Sequence, residues 1–122
     1  MKPDLKATLA ILIGMSGAIA IPTASFAADA AAGAAAWTKE YPQSDGSPAR
    51  SCVTCHGRDL TKPGRHAVTN KAIEPLAPSV DPQRLTDQAK VEKWLLRNCR
   101  WTLGRECTSD EKADFISYIE TQ

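Results

Sequence analysis

The residues best suited to chemistry lie in one short stretch, Ser51-Cys52-Val53-Thr54-Cys55-His56-Gly57. Two thiols three positions apart on a helical turn can form thioethers to the two vinyl groups of a single haem. The imidazole directly after the second thiol then projects beneath the iron. This is the C-x-x-C-H attachment pattern of c-type haem, with Cys52 and Cys55 as the covalent anchors of one haem and His56 as proximal ligand. Other chemistries also use close cysteine pairs. A zinc site would need a second close pair, and Cys99 and Cys107 are too far apart to supply one. A thioredoxin-type pair needs a βαβ setting, and no strand signal appears. A plain Cys52–Cys55 disulfide is the remaining alternative; small size, an all-helical pattern and the following histidine favour haem.

The second axial position is a separate question. Small electron-carrying cytochromes commonly hold iron between His and Met. Here the two methionines are Met1 and Met15, both in a stretch that reads as a removable leader. Lys2 and Lys6 precede an uncharged apolar run from Ala7 to Ile21, and Ala24-Ser25-Phe26-Ala27 supplies small residues for a signal peptidase. The run falls short of the ~20 residues needed to span a bilayer. The expected organisation is a signal peptide, 1–27, and one exported domain, 28–122, located in the periplasm and not inserted in the membrane. The iron must then find its sixth ligand elsewhere or have none.

Asn98 and His66 are the side chains to weigh. Val91, Trp94, Leu95 and Asn98 recur at i, i+3, i+4 and i+7, one face of a helix. An amide on a buried stripe needs a partner. Nearby backbone at the helix end is one, and iron is the other. His66 lies only ten residues beyond His56, a short span in which to reach the opposite haem face, and a loop histidine bonded to backbone is the alternative reading.

Several elements must position these groups. Ala28 to Tyr41 is alanine-rich and free of proline, with Asp29 where a helix dipole favours negative charge. Gln43 to Ala49 reads as a loop. The stretch from Leu60 to Leu85 holds Pro63, Pro75, Pro78 and Pro82, giving an extended wrap. A helix follows from an N-cap candidate at Thr86, next to Asp87, with Arg97 and Arg100 near its C-terminal end. The last helix opens on a capping box, Thr108-Ser109-Asp110-Glu111, and buries Phe115, Ile116, Tyr118 and Ile119. Gly33 and Trp37 of the first helix are expected to cross the last one near Phe115 or Tyr118. The fold class is all-α.

The chain has 122 residues, with 15 basic and 14 acidic groups. Removal of the leader leaves the two signs equal in number, which argues against a nucleic-acid binder. A domain this small needs a staple besides its apolar core. Cys99 and Cys107 remain as a pair in an oxidising compartment. Bridged, they would add about 2.5 kcal/mol in the chain-entropy picture, with a redox-active switch as the alternative role.

The chain resembles the sphaeroides haem protein group of monohaem cytochromes c and, more distantly, methylotroph cytochrome c″. The likeness runs from Ser51 almost to the C-terminus, through Cys52-Val53-Thr54-Cys55-His56-Gly57, Glu74-Pro75-Leu76-Ala77-Pro78-Ser79 and Lys90-Val91-Glu92-Lys93-Trp94-Leu95. It continues in Arg97-Asn98-Cys99, Gly104-Arg105-Glu106-Cys107-Thr108 and Glu111-Lys112-Ala113-Asp114. The resemblance implies a class I cytochrome c fold, haem c on His56, Asn98 as sixth ligand of the ferric iron, and a Cys99–Cys107 disulfide beside it. In that group the asparagine leaves on reduction, and the ferrous site binds dioxygen or nitric oxide. Redox partners in related systems include a dihaem cytochrome c and a membrane b-type cytochrome. Trp94 and Leu95, with Val91, are expected to wall the haem pocket. Arg100-Trp101 after Cys99 departs from the pattern.

Three functions follow as expectations: a redox-gated binder of diatomic ligands, a plain electron shuttle, and a small reductase of oxygen, nitric oxide or peroxide. The last needs a distal proton donor. Arg97, Arg100 and Trp101 are the candidates, with a surface role as their alternative.

Overall fold

The computed structural model describes residues 27–122, so the expected leader lies outside the described residues except for Ala27. The first helix, α1 (Ala30–Thr38), starts where the Asp29 carboxylate accepts from the Ala31 and Ala32 amides at 2.8 and 3.2 Å. It is shorter than the alanine run suggested. Lys39 turns extended, and Tyr41 pairs with Arg50 in an antiparallel bridge that draws the chain away from the helix.

The last helix, α4 (Ser109–Glu120), carries the expected capping box, with Thr108 and Glu111 each bonding the other's backbone amide. It packs along α1. A Cβ on Gly33 would collide with the Asp114 carbonyl oxygen and crowd Tyr118 Cβ, so glycine is what permits the close approach. One turn on, the Trp37 ring lies 6.3 Å from Phe115, edge-on, and 5.7 Å from Tyr118. The crossing expected for Gly33 and Trp37 is therefore present. Trp37, Leu60, Ala77, Cys99, Cys107, Phe115 and Ile119 form the buried core.

Between these helices runs the single-turn α2 (Val53–His56), followed by the proline-pinned wrap. The Leu76 and Ala77 amides both donate to the Leu60 carbonyl, at 3.1 and 3.0 Å, which fixes the wrap against the chain just beyond α2. One feature corrects the sequence reading: a short ladder joins β1 (Gly64–Arg65) to β2 (Ala72–Ile73), antiparallel, with Gly64 opposite Ile73 and Arg65 opposite Ala72. Two residues are too few to produce a period in the sequence, so no strand signal exists to read.

The long helix α3 (Gln88–Leu103) is capped by Asp87, whose carboxylate accepts from the Lys90 amide at 3.0 Å. Thr86, the expected cap, instead donates its hydroxyl to the Gln83 carbonyl at 2.8 Å. The carboxylate wins because it also carries charge at a helix N-terminus. The helix runs one turn past Cys99 and stops at Gly104, whose φ of 74° is left-handed. Among the described residues, no helix is long and apolar enough to cross a membrane.

Candidate haem-binding site

The α2 turn is held by bonds from three directions. Ser51, which is buried, donates its amide to the Thr54 hydroxyl at 2.9 Å, and the His56 amide returns to the Cys52 carbonyl at 3.0 Å. Trp37 reaches across from α1, and its indole N–H donates to the Gly57 carbonyl at 3.2 Å. From the other side β1 presses on the turn. A side chain at Gly64 would strike the Cys55 carbonyl oxygen, and the Ala67 amide donates to Cys55 Sγ at 3.4 Å.

Cys52 and Cys55 are free thiols, both half-buried. Burial pushes the Cys52 thiol up to about 12, so it stays protonated. Burial also pushes His56 down to about 4. Its ring stands 5.6 Å from Trp37, and at neutral pH the imidazole is uncharged with a nitrogen lone pair to give. Two unpaired thiols on one turn with a neutral imidazole directly after them are the donor set that a c-type haem requires, and the residues present fit that group.

The stripe on α3 differs from its expected form. Leu95 packs on the core and Val91 is half-buried, but Trp94 is 46% exposed and Asn98 is exposed. The face thus turns an aromatic and an amide away from the apolar core. Among the described residues the Asn98 side chain makes no hydrogen bond, so the backbone partner considered for it is not taken. The next residue, Cys99, is buried and joined to Cys107, with their Cα atoms 5.6 Å apart.

The other polar candidates have structural partners. His66 Nδ1 accepts from the Val68 and Thr69 amides at 3.2 and 3.1 Å, closing the loop between β1 and β2. Arg100 pairs with Glu106 inside the loop that the disulfide closes. Arg97 lies over the Trp94 ring, 5.3 Å from its centroid. Trp101, expected at the surface, is half-buried beneath the Arg50 guanidinium, 4.4 Å from the ring centroid. Sequence reasoning passed over two arginines. Arg50 had no local signal, because its partners lie far along the chain. Arg84 Nε sits 3.2 Å from Asp81 Oδ2 yet is buried without a well-aligned acceptor, so the pair shares charge rather than a hydrogen bond.

Comparison with known proteins places this arrangement in a class. The solved structure described as oxidised SHP, an oxygen-binding cytochrome c, matches with a TM-score of 0.70 and 47% identity, covering 78% of this chain and 83% of that one. Oxidised cytochrome c″ from Methylophilus methylotrophus also matches with a TM-score of 0.70, at 34% identity, covering 79% and 77%. The fold is that of a cytochrome c, and these homologues imply haem c as the prosthetic group. A family model described as a domain of unknown function (DUF1924) matches residues 23–119, and the chain belongs to that family.

At the sequence level, the cytochrome c-type protein SHP of Cereibacter sphaeroides is 52% identical over 81 residues, which span 66% of this chain and 62% of that protein. Cytochrome c″ of Methylophilus methylotrophus is 42% identical over 72 residues, spanning 59% and 50%. The chain thus covers less than two thirds of either relative's length.

Proposed function

We propose that this chain is a periplasmic, monohaem cytochrome c whose sixth ligand leaves on reduction, opening the site to small diatomic molecules. Cys52 and Cys55 would hold the one haem through thioethers, and His56 would give its nitrogen lone pair to the iron. When bound, haem would supply a one-electron iron couple and a site for exchangeable ligands. Asn98 would offer its amide oxygen to the ferric iron. This is a hard, weak donor that suits ferric iron and suits ferrous iron poorly, so reduction would favour its release. Dioxygen and nitric oxide are the ligands of the right size and charge. Electrons come from redox proteins, with a dihaem cytochrome c and a membrane b-type cytochrome as candidates.

The observation that supports this reading is the state of Asn98. It lies on an open face beside Trp94, without a hydrogen-bond partner among the described residues, and directly before a buried disulfide cysteine. The oxygen-binding description of a homologue 47% identical in sequence agrees with it.

Absorption spectra of the purified haem protein test the reading. Asn98→Ala should change the oxidised spectrum and leave the reduced one nearly unaltered. Reduced wild-type protein should bind carbon monoxide. A reduced form that is low-spin and ignores carbon monoxide would sink the proposal.

A further inference from the structure

The last turn of α3 leaves main-chain carbonyls with no amide one turn ahead to accept from. Side chains from the stretch before Cys52 take two of them. Arg50 Nη1 donates to the Trp101 carbonyl at 2.9 Å, and Gln43 Nε2 donates to the Thr102 carbonyl at 3.1 Å. The Arg50 guanidinium also stacks on the Trp101 ring, 4.4 Å from its centroid, adding a cation–π contact to the hydrogen bond.

Both side chains are fixed at their own base. The Tyr41 amide donates to the Arg50 carbonyl at 2.8 Å, and the Arg50 amide donates back at 3.0 Å. Gln43 Nε2 also donates to the Tyr41 carbonyl at 2.8 Å. This small ladder ends at Ser51 and Cys52, the beginning of the haem-attachment turn. Its side chains end one helical turn beyond Asn98. Arg50 thus connects the Cys52–His56 turn directly to the last turn of α3.

We propose that Arg50, seated on Trp101, is a positioning residue that sets how firmly Asn98 holds its axial position, and so how easily a neutral ligand displaces it. The inference rests on the sixth-ligand reading of Asn98. With the end of α3 tied by the disulfide, by Arg50 and by Gln43, the Asn98 backbone has one place to be. Untying the guanidinium lets the last turn shift and weakens the amide's hold on ferric iron.

Imidazole titration of the oxidised holoprotein at about pH 8 reads the effect directly, because imidazole would compete with Asn98 and binds in its neutral form. Trp101→Ala and Arg50→Lys should each raise imidazole affinity by about 2- to 30-fold, the range over which remote coupling residues act. Arg50→Lys and Gln43→Ala provide milder variants where Trp101→Ala fails to fold. The midpoint potential adds a test of sign. Removing a positive charge alone would lower it, whereas Arg50→Gln should raise it, because the ferric state loses its ligand's grip.

In an Asn98→Ala background the same changes should leave imidazole affinity unmoved, since nothing remains to be displaced. Lower unfolding midpoints with unchanged imidazole affinity and a lowered potential for Arg50→Gln would overturn the proposal and leave Arg50 a plain helix cap. If Asn98→Ala alone leaves the oxidised spectrum unchanged, the sixth-ligand reading fails first and this inference falls with it.

Discussion

The two sides of the site are built to opposite standards. Around α2 nearly every group is engaged. Ser51 bonds Thr54, Trp37 bonds Gly57, Gly64 leaves no gap over Cys55, and Ala67 bonds the Cys55 sulfur. On α3 the backbone is equally well tied, through the Cys99–Cys107 bridge and the carbonyl bonds of Arg50 and Gln43. The outward-facing Asn98 amide there makes no hydrogen bond among the described residues. In the proposed function, rigidity lies where the thioethers would form, and the unengaged amide lies on a fixed helix where an exchangeable ligand would be needed.

Substitutions can break that contrast, and the largest effect should come from the α2 side. Trp37→Ala removes a buried indole, its contacts with Phe115 and Tyr118, and the bond to Gly57. A loss of about 3–5 kcal/mol is expected in urea unfolding of the holoprotein. A loss under about 1 kcal/mol, small for a buried aromatic, would show that α1 is not needed to hold the turn. Next comes the paired Cys99→Ser and Cys107→Ser change, expected to cost about 2.5 kcal/mol and to loosen the α3 end, with imidazole affinity rising as it does for Trp101→Ala.

A smaller effect should follow acid. Hydrogen bonds from Arg105 hold the Glu111 carboxyl down to about 2, against a usual value of 4.5. A carboxylate whose folded value is depressed contributes stability above its unfolded value and loses it as pH falls through the folded one. The unfolding midpoint of the wild type should therefore decline between about pH 4.5 and pH 2, and Glu111→Gln should flatten part of that decline. Because Arg105 is exposed, added salt should shrink the difference. The smallest stability effect belongs to Asn98→Ala in the reduced holoprotein, where the proposed ligand is released, within about 0.5 kcal/mol as for an unpartnered residue. Melting curves that coincide while oxidised spectra differ would separate function from folding at that position.

Much of the molecule was legible from local signals. The thiol and imidazole spacing marked the α2 turn, Asp29 and the Thr108–Glu111 box marked two helix starts, and Gly33 with Trp37 marked a face that needs close approach. Each is a pattern within one or two turns of chain. What escaped depends on partners far away. The Tyr41–Arg50 bridge ends α1 early, and the ladder of β1 and β2 is too short for periodicity. The seat of Trp101 depends on an arginine about fifty residues earlier. The Thr86 and Asp87 choice was missed because both are capable caps, and the hydroxyl was claimed by the preceding turn. For Asn98 the stripe pattern identified its helix face, since a period of 3.6 shows which residues share a face and not what lies against it.

The pairing of α1 with α4 brings together the two ends of the described chain, and it carries an implication about timing. Trp37 cannot settle against Phe115 until the final helix has been delivered, and the indole's grip on Gly57 waits with it. Before that moment the turn carrying Cys52 and Cys55 lacks this support; afterwards both thiols are half-buried. If the thiols take haem as proposed, the topology leaves an interval for that attachment before α4 docks on α1.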